Sequence, residues 1–544
     1  MKVSRRHVMA AGAAWTCLSG AAAAEVRAGR LPVKRPRPGQ AHVNRGFAAS
    51  TNHPAATEAA RTVRLQGGGV FDMYLAALST AWVVDPANCS PFGRMQGLYR
   101  TGAEYGCLHA ATKIRALPGS TIPIPGNIAA WYALREAGQL QLPAAAILAP
   151  ARRIALNGYR PTEALSVAIE SSADDLQGEL REIYLDGSNK ARVHVRNPGL
   201  AELMDVLGRT DTAANFWAEL YRRRPGPWAK DELLTNTPHR SRPRALTLRG
   251  PDGRAYRLLA TGNQETWGAW TLLAAAVIAE LKAAGALTSL EISIEAYLLA
   301  TILVLDRIPF NVGSLTPKAS NPSVDIDIEG EGRLIAGRVR ELLGASRAEL
   351  WAALDKTYFP GEGSHTDDTN TNAFAVAAGD DVLSFTTSMG PWFGSKQGWF
   401  GAGLAYSYAM KSGRLFAGQT LDVTEMSPLI IERNGRPWLA CGAAGSERIF
   451  GALTYLIFLK LGLGATGDMA DLMTSPRLFP KDGKVRVHHD MPNSVRSHLV
   501  SRGFVMDLTD YDLRRHLGIV NLIEQTDAGI FHSGADPSGA GGAL

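Results

Sequence analysis

A mixed α+β fold is predicted by three observations. Apolar residues recur at helical spacing over the first 360 positions, strand-forming runs dominate after them, and the change falls at one polar, turn-rich stretch, GEGSHTDDTNT at 361–371. The 544 residues suffice for one large fold or two to three domains with an ample core. Hydrophobic residues make up 46% and charged ones 20%, which excludes a disordered chain and a multi-span membrane protein. The 56 glycines follow no repeat period, so they read as tight turns and close backbone approaches. The net charge is +6 with no clustered basic stripe, and nucleic acid is therefore not an expected partner.

The first element is an address. Residues 1–24 run from a basic start (Lys2, Arg5, Arg6) through small and apolar residues to an alanine run before Glu25, the pattern of a cleaved secretory signal too short to serve as an anchor. Arg5-Arg6, flanked by Ser4 and His7, resembles a twin-arginine signal, which implies a periplasmic or secreted protein and no membrane span once the signal is removed. Cys17 leaves with this leader, and the loss of its three basic residues lowers the net charge to +3. Residues 25–45, rich in Pro, Arg and Gly, read as a flexible mature terminus.

Two helices joined by Gly67-Gly68-Gly69 are expected over 54–84, and two more over 127–157. Residues 264–284 form a core helix, too short and too polar at Glu280 and Lys282 to cross a membrane. A further helix over 345–359 ends before Pro360. Strands are expected at 373–377, 382–387, 428–432 and 438–441. The mature cysteines Cys89, Cys107 and Cys441 are an odd, sparse set without a CxxC pair, which argues against a disulfide framework or a zinc site; Cys89 and Cys107 either pair or stay free thiols. The histidines are scattered, and His488-His489 would diverge on a strand, so neither a metal nor a cofactor is expected.

Six segments, in order, resemble the γ-glutamyltranspeptidase family of the N-terminal-nucleophile hydrolase superfamily. They are His53-Pro54 with Thr57-Glu58-Ala59 and Gln66 to Gly69 with Asp72; Pro125-Gly126 with Ala129-Ala130-Trp131; Thr371 to Val376; Met426-Ser427-Pro428; Asn434 to Pro437 with Gly442 to Ile449; and Gly534 to Pro537 with Gly539. The resemblance implies a four-layer αββα sandwich made as one precursor that cuts itself. Carried over here, the cut falls between Asn370 and Thr371. The chain then divides into a leader at 1–24, a large-subunit portion at 25–370 and a small-subunit portion at 371–544, the two portions associating as one structural domain.

Such an enzyme uses the freed Thr371 as nucleophile and the α-amine of the same residue as base. That amine has a reference pKa of about 7.7 to 8.0, so part of it is neutral and able to take the hydroxyl proton. Thr369 is a competing position; Phe374 and Val376 at the family's spacing favour Thr371. The resemblance places a second, supporting hydroxyl at Ser388, with Thr386 and Thr387 close enough for a register error to move it. It gives the oxyanion donors as the backbone amides of Gly445 and Ser446, where the family has two glycines, so the serine must find an allowed φ.

The family's glutamyl-reading residues are rewritten. Its arginine belongs to a segment that reads Leu108 to Thr112 here, without arginine; Lys411 stands close to its aspartate, Gly390 at its asparagine, and Thr424-Glu425 at its serine pair. A lysine in place of an acid favours a carboxylate over an ammonium. Arg94, Arg100 and Arg115 are candidate replacements for the lost arginine, although arginines are mostly surface residues. Trp392, Phe393, Trp399 and Phe400 either line an acyl pocket or belong to the core, and Gly394, Gly398, Gly401 and Gly403 suggest a mobile loop over the site. Three functions remain open: a γ-glutamyltransferase or glutathione-hydrolase-like threonine enzyme passing its acyl group to water or an amine, an amidohydrolase or acylase acting on a non-glutamyl amide such as a dicarboxylate monoamide, and a binding protein that has lost catalysis.

Overall fold

Among the described residues, seventeen strands run from Ala41 to Ala543. The computed structural model describes residues 41–115, 120–262, 265–308, 325–354, 371–399, 401, 403–408, 419–465, 468–511 and 516–544. The leader, Thr369, Asn370, Phe400 and Lys411 lie outside the described residues. The portion before residue 371 supplies β1 (Ala41–Arg45), β2 (Phe47–Thr51), β3 (Arg94–Thr101), β4 (Glu104–Ala110), β5 (His239–Ser241), β6 (Arg244–Arg249) and β7 (Ala255–Ala260). After it come β8 (Thr371–Ala378), β9 (Asp381–Ser388), β10 (Leu429–Arg433), β11 (Arg436–Ala444), β12 (Leu478–Lys481), β13 (Lys484–His488), β14 (Met506–Thr509), β15 (Ile519–Gln525), β16 (Ile530–Ala535) and β17 (Gly542–Ala543).

Two seven-stranded antiparallel sheets hold the molecule together, in the orders β17-β2-β8-β9-β3-β4-β5 and β1-β16-β15-β11-β10-β7-β6. They pack face to face, with helices on both outer faces, as the αββα sandwich requires. Period-two alternation sorts the side chains. Leu258, Leu429, Ile431, Leu439 and Leu522 join the helical core outside, whereas their neighbours Leu259, Ile430, Ala440 and Ile523 fill the space between the sheets. On the other sheet, Phe374 and Phe385 face outward against Tyr74 of the helix Val70–Val84, with ring centroids 5.4 and 4.4 Å away.

The helices follow the sequence pattern closely. Pro54–Leu65 and Val70–Val84 flank the triple glycine, and the buried Asp72 carboxylate caps the second by accepting from the Gly69 N–H at 2.9 Å. Asn127–Glu136, Ala144–Asn157 and Gly268–Ala283 fall where helices are expected. Of the last expected helix, Arg347–Leu354 is described and 355–359 is not. The contrast between a helical first part and a strand-rich second part needs correcting, because seven strands precede residue 371 among the described residues. β2, FAAST, is alanine-rich, and β3 is buried on both faces over most of its length, so neither shows an alternating pattern. Residues 41–45 belong to β1 rather than to a flexible terminus. Among the described residues no helix is long and apolar enough to cross a membrane, and Cys89, Cys107 and Cys441 are buried free thiols.

Candidate active site

Thr371 opens β8 near the middle of its sheet, with 3% of its surface exposed. The residues that share its face, Ala373, Ala375 and Ala377, are small, which lets the opposite sheet come close. A Cβ added to Gly442 on β11 would stand 3.1 Å from the Ala373 Cβ. The β2 ladder beside β8 reaches only Phe374, and side-chain amides continue it. Asn52 donates to the Thr371 carbonyl (3.2 Å) and accepts from the Ala373 N–H (3.1 Å). Asn521 donates to the Ala373 carbonyl (3.0 Å) and to Asn52 Oδ1 (2.5 Å), and Ser50 Oγ donates to Asn521 Oδ1 (3.1 Å). Two carboxamides therefore fix the backbone at the start of the strand, at Thr371 and Ala373.

Register settles which hydroxyl lies abreast of Thr371. Ser388 pairs with it directly, Thr386 pairs with Ala373, and Thr387 faces the helical side, where it donates to the Arg94 carbonyl (2.8 Å) and accepts from Asn127 Nδ2 (3.1 Å). Ser388 Oγ accepts from the Gly390 N–H at 3.1 Å. On the helical side of β8, Asn372 Nδ2 donates to Asp85 Oδ2 at 2.8 Å. Burial pushes the Asp85 carboxyl up to about 6, and the hydrogen bonds from Asn372 and Asn88 only partly offset it.

The facing strand ends above this point. Gly442 lies over Ala373, while Ala440 shares the inter-sheet cluster with Ala375 and Ala377, so β11 runs against β8 and its last residues continue toward Thr371. There the chain turns through Gly445 (φ 127°) and Ser446 (φ 56°) into the helix Arg448–Ile457. The glycine is required: its φ suits no L side chain, and an added Cβ would lie 2.5 Å from His516 Cε1. Ser446 adopts the left-handed conformation that replacing the family's glycine demands, a strained choice for a serine. Arg448, 1% exposed, locks the turn by donating from its N–H (3.1 Å) and Nε (2.9 Å) to the Gly445 carbonyl.

The remaining candidates divide. Thr424 is buried and its N–H donates to the Glu265 carbonyl at 2.9 Å, with Glu425 half-buried beside it. Trp399 belongs to the core, stacked on Phe92 and Trp217 at 5.3 and 6.2 Å, and Trp392 and Phe393 sit in a separate apolar cluster. The Gly401 and Gly403 amides both donate to the Glu179 carboxylate, which ties their loop to the helix Glu179–Tyr184. Arg115 forms a bidentate pair with Glu232 (2.7 and 2.9 Å), and half-buried Arg100 donates to the Asp380 carbonyl (2.5 Å). Arg94 departs from the surface expectation. It is 1% exposed and donates to Asp422, which is fully buried. Asp422 carries no local sequence signal, since its partner lies 328 positions away.

Thr371 thus opens a buried central strand of an αββα sandwich, and the facing strand β11 runs toward its end before turning through Gly445. A family model described as gamma-glutamyltranspeptidase matches residues 334–544. Over 496 residues the chain is 24% identical to the acylase ACY 1 proenzyme of Pseudomonas sp. (strain V22) and 23% identical to that of strain SE83, in both cases covering 83% of this chain and 86% of the relative. The crystal structure of cephalosporin acylase from Bacillus halodurans shares the fold, with a TM-score of 0.73 at 18% identity over 95% of this chain and 98% of that one. The residues matched by that family model include Thr371, Ser388 and the Gly445–Ser446 turn.

Proposed function

We propose that the protein is an exported, self-processing threonine amidohydrolase of the acylase kind, cut before Thr371 and acting through an acyl-Thr371 intermediate. What supports this reading is Thr371, buried at the head of β8 with Ser388 abreast of it, and the run of β11 past Ala373 into the Gly445–Ser446 turn. The α-amine of the freed threonine takes the proton of its own hydroxyl as Oγ attacks the amide carbonyl. The Gly445 and Ser446 amides meet the oxyanion of the tetrahedral intermediate, and the amine returns the proton to the leaving nitrogen. Water, or an acceptor amine, then releases the acyl group from Thr371.

The choice of acylase over γ-glutamyl transfer follows from the substrate side of the site. The stretch matched to the family's arginine segment carries none, and both relatives that align with most of the chain are acylases by name. Denaturing electrophoresis with intact-mass analysis tests the machinery. Two fragments are expected, the smaller beginning at Thr371, and the Thr371→Ala chain should stay uncut and inactive. A wild-type chain that remains whole for days would point to a binding protein. A substrate panel tests the specificity: turnover of a γ-glutamyl anilide in preference to its amine-free analogue would restore the transferase reading.

A further inference from the structure

Alternation along β8 turns successive residues to opposite faces of the sheet. Thr371 looks into the space between the sheets, so Asn372 looks toward the helices, where it is fully buried beside Thr387. Its Nδ2 donates to Asp85 Oδ2 at 2.8 Å, and its Oδ1 is buried with no partner among the described residues. Asp85 is itself held from several sides. It caps the C-terminal end of the helix Val70–Val84, and its N–H donates to the Ala81 carbonyl at 2.9 Å. Its carbonyl accepts from the Asn88 and Cys89 N–H groups (both 3.1 Å), and Asn88 Nδ2 donates to its carboxylate (3.0 and 3.3 Å). The residue after Thr371 is thus tied by one side chain to a fixed point of the helical layer.

A cut before Thr371 makes that tie matter. The strand would then start at Thr371, and because the β2 ladder reaches only Phe374, its first residues depend on that side on side-chain amides. Asn372 adds a hold from the helical side. The cut also creates an α-amine one residue from Asn372. An anion nearby favours its ammonium form over the free amine that has to take the hydroxyl proton. Asn372 faces Asp85 from β8, Asn88 and Cys89 from its own loop, and Tyr159 from the segment after the helix Ala144–Asn157. Among the described residues no cation answers this carboxyl, and the carbonyl end of its helix also disfavours an anion. The cut supplies a cation, the α-ammonium of Thr371.

We propose that Asp85, acting through Asn372, is a positioning residue for the freed nucleophile: it anchors the new end of β8 and sets by its charge how firmly the Thr371 α-amine holds a proton. This rests on Thr371 being the nucleophile. An ionised Asp85 stabilises the ammonium, and a protonated one leaves the amine free to act as base. The two groups titrate as a coupled pair, each proton bound by one loosening the hold of the other.

Asp85→Asn keeps the size and an acceptor for Asn372 Nδ2 and removes the charge. The cut wild type and the cut variant are treated with trace acetic anhydride from about pH 5 to about pH 9, and acetylation of the Thr371 α-amine is read by mass analysis of the N-terminal peptide of the smaller fragment. The midpoint of that titration is expected about half a pH unit lower in the variant, whereas a packing role for Asp85 would leave it in place. Coinciding midpoints overturn the assignment. Asn372→Ala tests the anchor, because it keeps the acid and removes the link. On the anilide of the substrate panel that the wild type turns over fastest, its kcat should fall about tenfold with KM unchanged. An unaltered kcat overturns the proposal, and this arm decides alone if Asp85→Asn fails to fold. A wild type that is never cut at Thr371 removes the nucleophile reading and this proposal with it, an outcome that mass analysis reports separately.

Discussion

The space between the two sheets has two ends built from the same strands. At one end β8, β9 and β3 present Ala377, Val382 and Leu98, packed with Leu259, Ile430 and Ile523 of the facing sheet. At the other they present Thr371, Ser388 and Arg94. Register and pleat are common to both ends, so backbone geometry does not make the difference. Side-chain chemistry does, and it carries a stability penalty: Arg94 Nε, Gln96 Nε2 and Thr386 Oγ1 are all buried without partners among the described residues. Each such group costs about 1–3 kcal/mol. A fold tolerates that burden where a reaction needs buried polarity, and the apolar end supplies the packing that offsets it.

Breaking the polar end should give the largest effect. Gly445→Ala places a Cβ against His516 on a φ that disfavours it, so the turn must shift; kcat is expected to fall about 10²- to 10³-fold. Steady-state kinetics within a few-fold of wild type would separate this turn from the chemistry. A smaller effect lies beneath β8. Asp85, pushed up to about 6 from its ordinary 3.8, stays protonated in the folded protein over a pH range where the unfolded chain has ionised it. Its contribution is therefore intact below about pH 4 and is lost as the pH rises through about 6, a loss of about 3 kcal/mol by pH 7.5. Asp85→Asn removes this group from the balance, so urea unfolding at pH 4.5 and 7.5 should show a shallower loss in the variant than in the wild type. Parallel pH dependences would count against it. The mildest change is at the apolar end. Ile523→Val should cost about 1 kcal/mol of stability in urea and leave kcat unaltered, and a fall in kcat there would erase the distinction between the ends.

What could be read from the sequence follows from how local each signal is. The helices Pro54–Leu65, Val70–Val84 and Gly268–Ala283 announce themselves through spacing, a cap and a glycine break within a few residues. Motif order puts Thr371 at the head of a strand and Gly445 in a turn, and counting back from Phe393-Gly394 puts Ser388 on the strand that follows, as the structure has them. β2 and β3 were not legible, because alanine suits helices and a strand buried on both faces loses its alternation. Arg94 illustrates the hardest case. By composition it belongs on the surface, and only the pairing of β3 with β9 and a partner from residue 422 bring it inside.

The strand order has one more consequence. In one sheet β2 lies between β17 and β8, and β9 is followed by β3; in the other β1 flanks β16, and β7 flanks β10. Strands from either side of residue 371 thus interleave in both sheets. A cut before Thr371 would leave two polypeptides, neither owning a complete seven-stranded sheet, joined by whole backbone ladders rather than by a surface patch. The covalent link would then matter during assembly, when it keeps the strands at high effective concentration. Once it is gone, persistence of the molecule would be governed by how slowly those ladders open rather than by how readily two separated pieces find each other again.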